Sequence, residues 1–502
     1  MSSTVVSAAN VEARVLENFV DGSWVPAQTG EQLDVINPAS GEALARVPLS
    51  GYEDVEAAVA AARAALPGWR AVPVIKRAQL LFRLRQALSE RAGELAQSVT
   101  SEMGKTIGDA RAEVDRMIEM VEAATAIPHT MQGRNLEGVA TNVDCETIRQ
   151  PVGVCAAITP FNFPAMVPMW FLPFAIGAGN TFILKPSEQT PITQTIVFEI
   201  LAEVDLPPGV ANLVHGAHDV VNAILESPGI DAVSFVGSAK VARYVYERAA
   251  ANGKRVQALG GAKNHIVVMP DAVIAKTSDN IIASAFGAAG QRCMAGSVVV
   301  AVGDAWEKLR PELVARTQTL TLGEGSDEAV DIGPVISPSA STRIHGEIEA
   351  ALATGARLVV DGRSPNGAAG GGFVGPTILE NVAPDSDAVR EEIFGPVLCV
   401  LEVDTLAQAI ELVNASRYGN GTSIFTESGA AARRYRADVE VGMIGVNIGV
   451  AAPVAFFPFS GWKGSFFGDI HAHGQDAVDF YTRKKTITSR WFSQETGRFF
   501  VE

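Results

Sequence analysis

The chain has 502 residues, 47% of them hydrophobic and 19% charged, which is the make-up of a globular protein of about three domains and excludes a disordered one. Its formal net charge of -16 argues against binding nucleic acid through general electrostatic attraction and leaves a small anionic ligand dependent on local cations. The cysteines Cys145, Cys155, Cys293 and Cys399 form no C-x-x-C pair, so neither a disulfide framework nor a zinc ribbon is indicated and a reducing compartment fits.

Residues 1 to 50 mix short apolar pieces with turn signals such as Asp21-Gly22 and Asn37-Pro38, as in a strand-rich lead-in. From Met1 to Asn10 and onward no basic segment precedes an apolar one. The most apolar run, Pro164 to Gly179, is short and broken by Pro168 and Pro173. A soluble, cytoplasmic protein without a membrane partner is expected. Helical periodicity begins at Val55 to Leu66 and continues through Lys76 to Met103 and Thr106 to Ala126. In the last of these, Ile107, Ala110, Val114, Ile118, Val121 and Thr125 approximate one stripe, and Arg116 points away from it. The plain expectation for Arg116 is a solvated residue paired with Glu113 or neighbours near Met120.

Asn135 to Gln150 reads as an extended ribbon projecting from the body, and Asp479 to Trp491 as another strand. Such edges call for a partner, so self-association as a homodimer or homotetramer is expected. Between them, Val152 to Val268 alternates strand and helix, which implies a parallel sheet with helical crossovers and a nucleotide crevice at its carboxyl end, although G-x-G-x-x-G is absent. A second alternating region spans Asn264 to about Gly445. Within it, Asn366 to Gly375 reads as a surface loop.

Chemistry concentrates at Phe286 to Ser297, where Cys293 stands among small residues beside Arg292. Small neighbours admit a substrate to the sulfur, and a nearby guanidinium favours the thiolate, the nucleophilic form. A buried cysteine acting as a small hydrophobe is the alternative. His471 and His473 form an H-x-H pair with no identifiable third ligand, so no metal site is expected.

Thr159-Pro-Phe-Asn-Phe-Pro164, Leu184-Lys-Pro-Ser-Glu-Gln-Thr-Pro191, Phe235-Val-Gly-Ser238, Gly290-Gln-Arg-Cys293 and Glu391-Glu-Ile-Phe-Gly-Pro396, in this order, resemble the aldehyde dehydrogenase superfamily over nearly the whole length. The resemblance implies an α/β fold with two parallel-sheet domains and a small β oligomerisation element. An NAD-binding domain would span 1–133 and 151–262, a catalytic domain 263–474, and oligomerisation strands with a C-terminal tail 134–150 and 475–502.

It also implies that Cys293 is the nucleophile, and that the Asn162 amide and the Cys293 backbone N–H receive the oxyanion. Phe161, Lys185, Glu188, Gly237, Ser238, Glu392 and Phe394 would bind cofactor. Lys185 and Glu188 would contact the adenosine ribose, where a carboxylate disfavours a 2'-phosphate and so favours NAD over NADP. Gly237 and Ser238 would open a helix toward the pyrophosphate, and Glu392 would hold the nicotinamide ribose. Ala242 stands where Gly is frequent, a departure expected to tighten or shift the fit.

A second departure concerns water activation. Hydrolytic members carry Glu in Glu-Leu-Gly-Gly as general base, whereas this chain reads Gln257-Ala-Leu-Gly-Gly-Ala-Lys-Asn-His265, placing Ala258 or Leu259 there according to the alignment used. Neither takes a proton, a handicap of about 10² to 10⁴ for hydrolysis. Gly261-Ala-Lys-Asn-His265, the Cys293 segment and Ala455-Phe-Phe-Pro-Phe-Ser-Gly-Trp-Lys463 look like the CoA-acylating methylmalonate-semialdehyde dehydrogenase branch. That likeness implies coenzyme A as co-substrate, a small carboxylated aldehyde as substrate, and Arg116 with Arg292 as the carboxylate clamp. It places Phe457 and Phe459 near the substrate entrance, with ordinary core packing as the alternative. A hydrolytic semialdehyde dehydrogenase and a catalytically silent structural or binding relative are the competing readings.

Overall fold

The computed structural model describes residues 14–364 and 372–492. The start of the chain, most of the Asn366 to Gly375 loop and the end of the C-terminal tail lie outside the described residues.

Two sheets organise the molecule. In the first, parallel strands stand in the order Ala211–Leu213, Thr181–Lys185, Val154–Ile158, Ala232–Val236, Arg255–Leu259. These runs are rich in β-branched and apolar residues and buried on both faces, as helix-covered parallel strands require. The chain reverses its direction of strand addition between Val154–Ile158 and Ala232–Val236, so a crevice opens beyond their carboxyl ends. The second sheet places Asn264–Val268, Gly296–Val302, Thr377–Glu380, Val397–Val403, Gly421–Phe425 and Met443–Val446 in parallel around its own apolar core, with Arg357–Val360 antiparallel at one edge.

The long amphipathic stretch expected over Lys76 to Met103 is two helices, Val74–Glu90 and Ala92–Met103. They meet at Arg91, whose φ of -102 and ψ of 16 leave helical geometry. The Ile107–Ala124 helix is capped by Thr106, whose side chain accepts from the Asp109 N–H.

The projecting ribbon is a hairpin of Asn135–Ala140 and Val143–Pro151, turning through Asn142 at φ 57. Its partner lies in the same chain: Thr482–Arg490 pairs antiparallel with Val143–Pro151 over nine residues. Only the later part of the strand expected from Asp479 to Trp491 is extended. Asp479, Phe480 and Tyr481 close the Gly474–Tyr481 helix, whose buried Ala477, Val478, Phe480 and Tyr481 follow helical spacing. Among the described residues no helix is long and apolar enough to cross a membrane.

Candidate active site

Two cavities meet at Cys293. One, of about 730 Å³, occupies the crevice beyond the carboxyl ends of the first sheet; the other, of about 340 Å³, lies between the Ile107–Ala124 helix and the C-terminal loops. Phe163 and Cys293 line both.

Strand ends build the first cavity. Phe161 and Asn162 follow Val154–Ile158, Gly237 and Ser238 follow Ala232–Val236, and Gly260 and Gly261 follow Arg255–Leu259. Lys185 ends its strand and donates to Glu188 at 2.9 Å. Burial opposes ionisation of Glu188, but the charge and hydrogen bond of Lys185 outweigh it and hold the carboxyl below its usual range. Ser238 precedes the Ala239–Ala251 helix and makes no side-chain capping bond, so its hydroxyl and the first-turn amides remain available to an anion. Across the crevice the rings of Phe161 and Phe394 approach edge to face at 5.8 Å. Burial pushes the Glu392 carboxyl up to about 7, against a backbone hydrogen bond from Ala262 and the charge of Lys263. Ala242 is fully buried and lies outside the cavity wall, against Gly260, so its methyl group adjusts helix-to-loop packing and takes no part in lining the crevice.

The Cys293 loop is fixed from several sides. Ala288 and Ala289 both take left-handed backbone, at φ 49 and 52. Gly290 is a glycine because a Cβ there would stand 2.2 Å from the Gly395 carbonyl oxygen. The Cys293 carbonyl accepts from the side-chain amides of Asn264, at 2.8 Å, and Asn420, at 2.9 Å. Asn162 is buried, and its Nδ2 donates to the Gln291 carbonyl at 3.0 Å, which leaves the second amide hydrogen for a ligand.

Beneath Asn162 lies a buried ion pair absent from the sequence reading. Lys105 donates to Glu113 at 2.6 Å and to the Asn162 carbonyl at 2.7 Å, and its ammonium sits 4.1 Å from the Phe163 ring centre. Glu113 in turn accepts from the N–H groups of Ala165 and Met166. Burial depresses the Lys105 pKa, opposed by the Glu113 charge.

The Ile107–Ala124 helix thus presents three functional contacts at positions i, i+4 and i+7, one helical face. Asp109 receives the Ala288 N–H at 2.9 Å and Arg292 Nη2 at 2.7 Å; Glu113 braces the Asn162 segment; Arg116 lines the second cavity. Arg116 is paired with Glu119 at 2.6 Å, the helical neighbour beside Met120 and not Glu113, and also donates to the Pro453 carbonyl.

The expected thiolate-promoting effect of Arg292 is overcome. Its guanidinium is folded onto Gly287 and engaged by Asp109 and the Ala283 carbonyl. Burial and then the Glu392 charge push the Cys293 thiol up to about 12, with the local backbone amides and Arg292 opposing only in part. Arg292 nonetheless lines the same cavity as Arg116.

Phe459 is buried in that cavity's wall, 4.7 Å from Trp170 between ring centres, whereas Phe457 is 64% exposed and outside the lining. Ala258 and Leu259 are both buried in the core and line neither cavity, and neither side chain can take a proton. The two histidines of the H-x-H pair part company: His471 meets the Gly461 carbonyl at 3.2 Å, while His473 lines the second cavity.

A half-buried thiol between a nucleotide-type crevice and a cavity bearing two arginines is the arrangement of a thiol-dependent aldehyde oxidoreductase. The chain belongs to the aldehyde dehydrogenase family, whose model matches residues 24–487. It is 52% identical over 481 residues to malonate-semialdehyde dehydrogenase 3 of Geobacillus kaustophilus strain HTA426, covering 96% of this chain and 99% of the relative. It is 50% identical to malonate-semialdehyde dehydrogenase of Halalkalibacterium halodurans, covering 95% and 98%. The crystal structure of methylmalonate-semialdehyde dehydrogenase from Oceanimonas doudoroffii superposes with a TM-score of 0.94 at 45% identity, over 96% of this chain and 99% of that one. A Sinorhizobium meliloti 1021 protein complexed with NAD gives 0.95 at 43% identity, over 97% and 99%.

Proposed function

We propose that this enzyme oxidises malonate semialdehyde or its methyl derivative with NAD and transfers the decarboxylated acyl group to coenzyme A, yielding acetyl-CoA or propionyl-CoA, CO2 and NADH. The observation that carries the reading is the position of Cys293, exposed at once to the strand-end crevice and to the arginine-bearing cavity. The relatives named for these semialdehydes support the substrate class.

The residues of the crevice fit NAD. Glu188 with Lys185 suits a ribose diol, the Ser238 turn and helix amides suit a pyrophosphate, and Glu392 with Phe394 lies on the Cys293 side for the nicotinamide ribose. When bound there, NAD supplies the hydride acceptor.

Arg116 and Arg292 seat the substrate carboxylate in a cavity whose wall includes the apolar Phe163, Met166, Trp170 and Phe459 and the polar Asp109, Glu113 and His473, Asp109 and Glu113 being engaged by Arg292 and Lys105. The Cys293 sulfur, once deprotonated, adds to the aldehyde carbon, and the oxygen that becomes negative is received by the free Asn162 amide hydrogen and the Cys293 N–H. Loss of hydride from that carbon leaves a thioester on Cys293 with a carboxylate β to its carbonyl. Breaking the bond to that carboxylate releases CO2 and places the electron pair in an enolate, held by the same two donors and then protonated on carbon. The thiolate of coenzyme A next attacks the thioester carbonyl and expels the Cys293 thiolate. A thiol needs less activation than water, in keeping with uncharged Ala258 and Leu259 at the alternative base positions.

The test is to follow NADH and acyl product from malonate semialdehyde with and without coenzyme A. Acetyl-CoA formation supports the proposal; free acid formed equally well without coenzyme A would return it to the hydrolytic reading. Self-association as a homodimer or homotetramer and a cytoplasmic setting complete the proposal.

A further inference from the structure

We infer that His473 is a specificity-determining residue that donates a hydrogen bond to the substrate carboxylate beside Arg116. The inference rests on the proposed carboxylated substrate and adds to it a residue outside the arginine pair.

His473 is 1% exposed and lines the substrate-side cavity. Neither of its ring nitrogens has a hydrogen-bond partner, and the indole Nε1 of Trp170, its edge-on neighbour at 4.6 Å between ring centres, is likewise unpaired. Buried donors are otherwise almost always satisfied, so two orphans on one cavity wall mark the place of a polar ligand group. The ring is packed between Trp170 and Phe459, which fixes its orientation without consuming either nitrogen. Burial, and then the Arg116 charge, lower its pKa to about 3, so the imidazole is neutral and always carries one N–H.

The backbone adds an independent sign. His473 has φ 74 and ψ 166, a region occupied almost only by glycine. Such strain persists where packing enforces it, and here it turns the imidazole from the Gly474–Tyr481 helix start into the cavity. The ligand group that suits this wall is anionic and accepts from several donors at once: a carboxylate bridging Arg116 and a neutral imidazole N–H. The aldehyde end is already provided for by Asn162 and the Cys293 amide. A neutral aldehyde such as propanal presents nothing to His473.

The experiment compares His473→Phe, which keeps a ring but removes both nitrogens, with His473→Asn, which keeps a side-chain N–H donor. Each is assayed on malonate semialdehyde and on propanal, with NAD affinity as the control for folding. For His473→Phe the expected result is a KM about tenfold higher for malonate semialdehyde and little change for propanal, the cost of one hydrogen bond to a charged group. His473→Asn is expected to recover most of that loss. Equal changes on both aldehydes, or none on either, would overturn the inference.

Should His473→Phe not fold, malonate is titrated into the 15N-histidine-labelled parent, with the His473 signal assigned by its absence from His473→Asn. A His473 shift that disappears in Arg116→Leu supports the contact, and an unmoved His473 signal overturns it. Arg116→Leu separates the two levels of the argument. If it too fails to discriminate between the aldehydes, the carboxylate seat itself is wrong; if it discriminates and His473→Phe does not, only the role of His473 falls.

Discussion

The two cavities that share Cys293 are built in different ways. The cofactor side is made of strand ends: Phe161-Asn162, Ser187-Glu188, Gly237-Ser238 and Gly260-Gly261 each follow a parallel strand at the same edge of one sheet. The substrate side draws on segments far apart in sequence, Asp109 to Met120, Phe163 to Trp170, Arg292 to Met294 and Val450 to His473, joined by side-chain contacts. Backbone geometry therefore carries most of the first half of the site, and charge pairing carries most of the second. Substitutions should reveal the difference, with smaller effects on the cofactor side than at the junction and on the substrate side.

The junction itself gives the largest effect. Cys293→Ala should reduce aldehyde oxidation on the order of 10⁴-fold or more while NAD still binds, because the fold does not need the sulfur and the covalent step does. Substantial residual NADH formation would remove Cys293 from the mechanism.

Next comes the Lys105–Glu113 pair. Lys105→Met leaves Glu113 buried and uncompensated, so unfolding should be easier by about 3 to 5 kcal/mol, and turnover should fall roughly 100-fold as the Asn162 carbonyl loses its tether. The double variant Lys105→Met, Glu113→Gln should regain much of the stability, read by thermal unfolding, yet little of the kcat. Recovery of both together would mean that the pair serves the fold alone.

Arg116→Leu should raise the KM for malonate semialdehyde roughly 30-fold and leave propanal within a small factor, since only the former offers a carboxylate. Arg292 sharpens the comparison because its partner Asp109 also holds the Ala288 N–H of the Cys293 loop. Arg292→Leu should affect both aldehydes through the Cys293 loop as well as the carboxylated one through binding. Identical behaviour of the two variants would erase the distinction between a cation held for substrate and one held for the loop.

On the cofactor side the effects are smaller. Glu188→Gln should lower the preference for NAD over NADP by about tenfold, as the repulsion of a 2'-phosphate is removed while Lys185 remains. Smallest is a change in thiol reactivity. Because the Glu392 charge is among the causes that raise the Cys293 pKa, Glu392→Gln should increase the thiolate fraction and speed alkylation of the ligand-free enzyme by roughly threefold at pH 8. The alkylation rate should climb as pH rises in either protein, since Cys293 is largely protonated below its raised pKa. A slower reaction in Glu392→Gln would reverse the assigned sign.

The amino-acid sequence by itself determined the strands and their alternation with helices, because buried parallel strands are short apolar runs bounded by turns. Thr181–Lys185, Ala232–Val236, Arg255–Leu259 and Val397–Val403 have the boundaries their residues predict. It also marked the Cys293 loop and the residues proposed here to hold NAD, since each lies within a few positions of a strand end and inherits its place from the backbone. Arg91 as a break, and the helix that takes Asp479 to Tyr481, were decided by packing, which overrides local preference. Only the tertiary structure joined Lys105 to Asn162, Asn264 and Asn420 to the Cys293 carbonyl, and Asp109 to Arg292, contacts that close across 29 to 183 residues of chain. It also set the charge state of the nucleophile. A sequence places Arg292 next to Cys293, but the cost of burying a thiolate and the direction in which a guanidinium folds depend on the surrounding atoms in three dimensions.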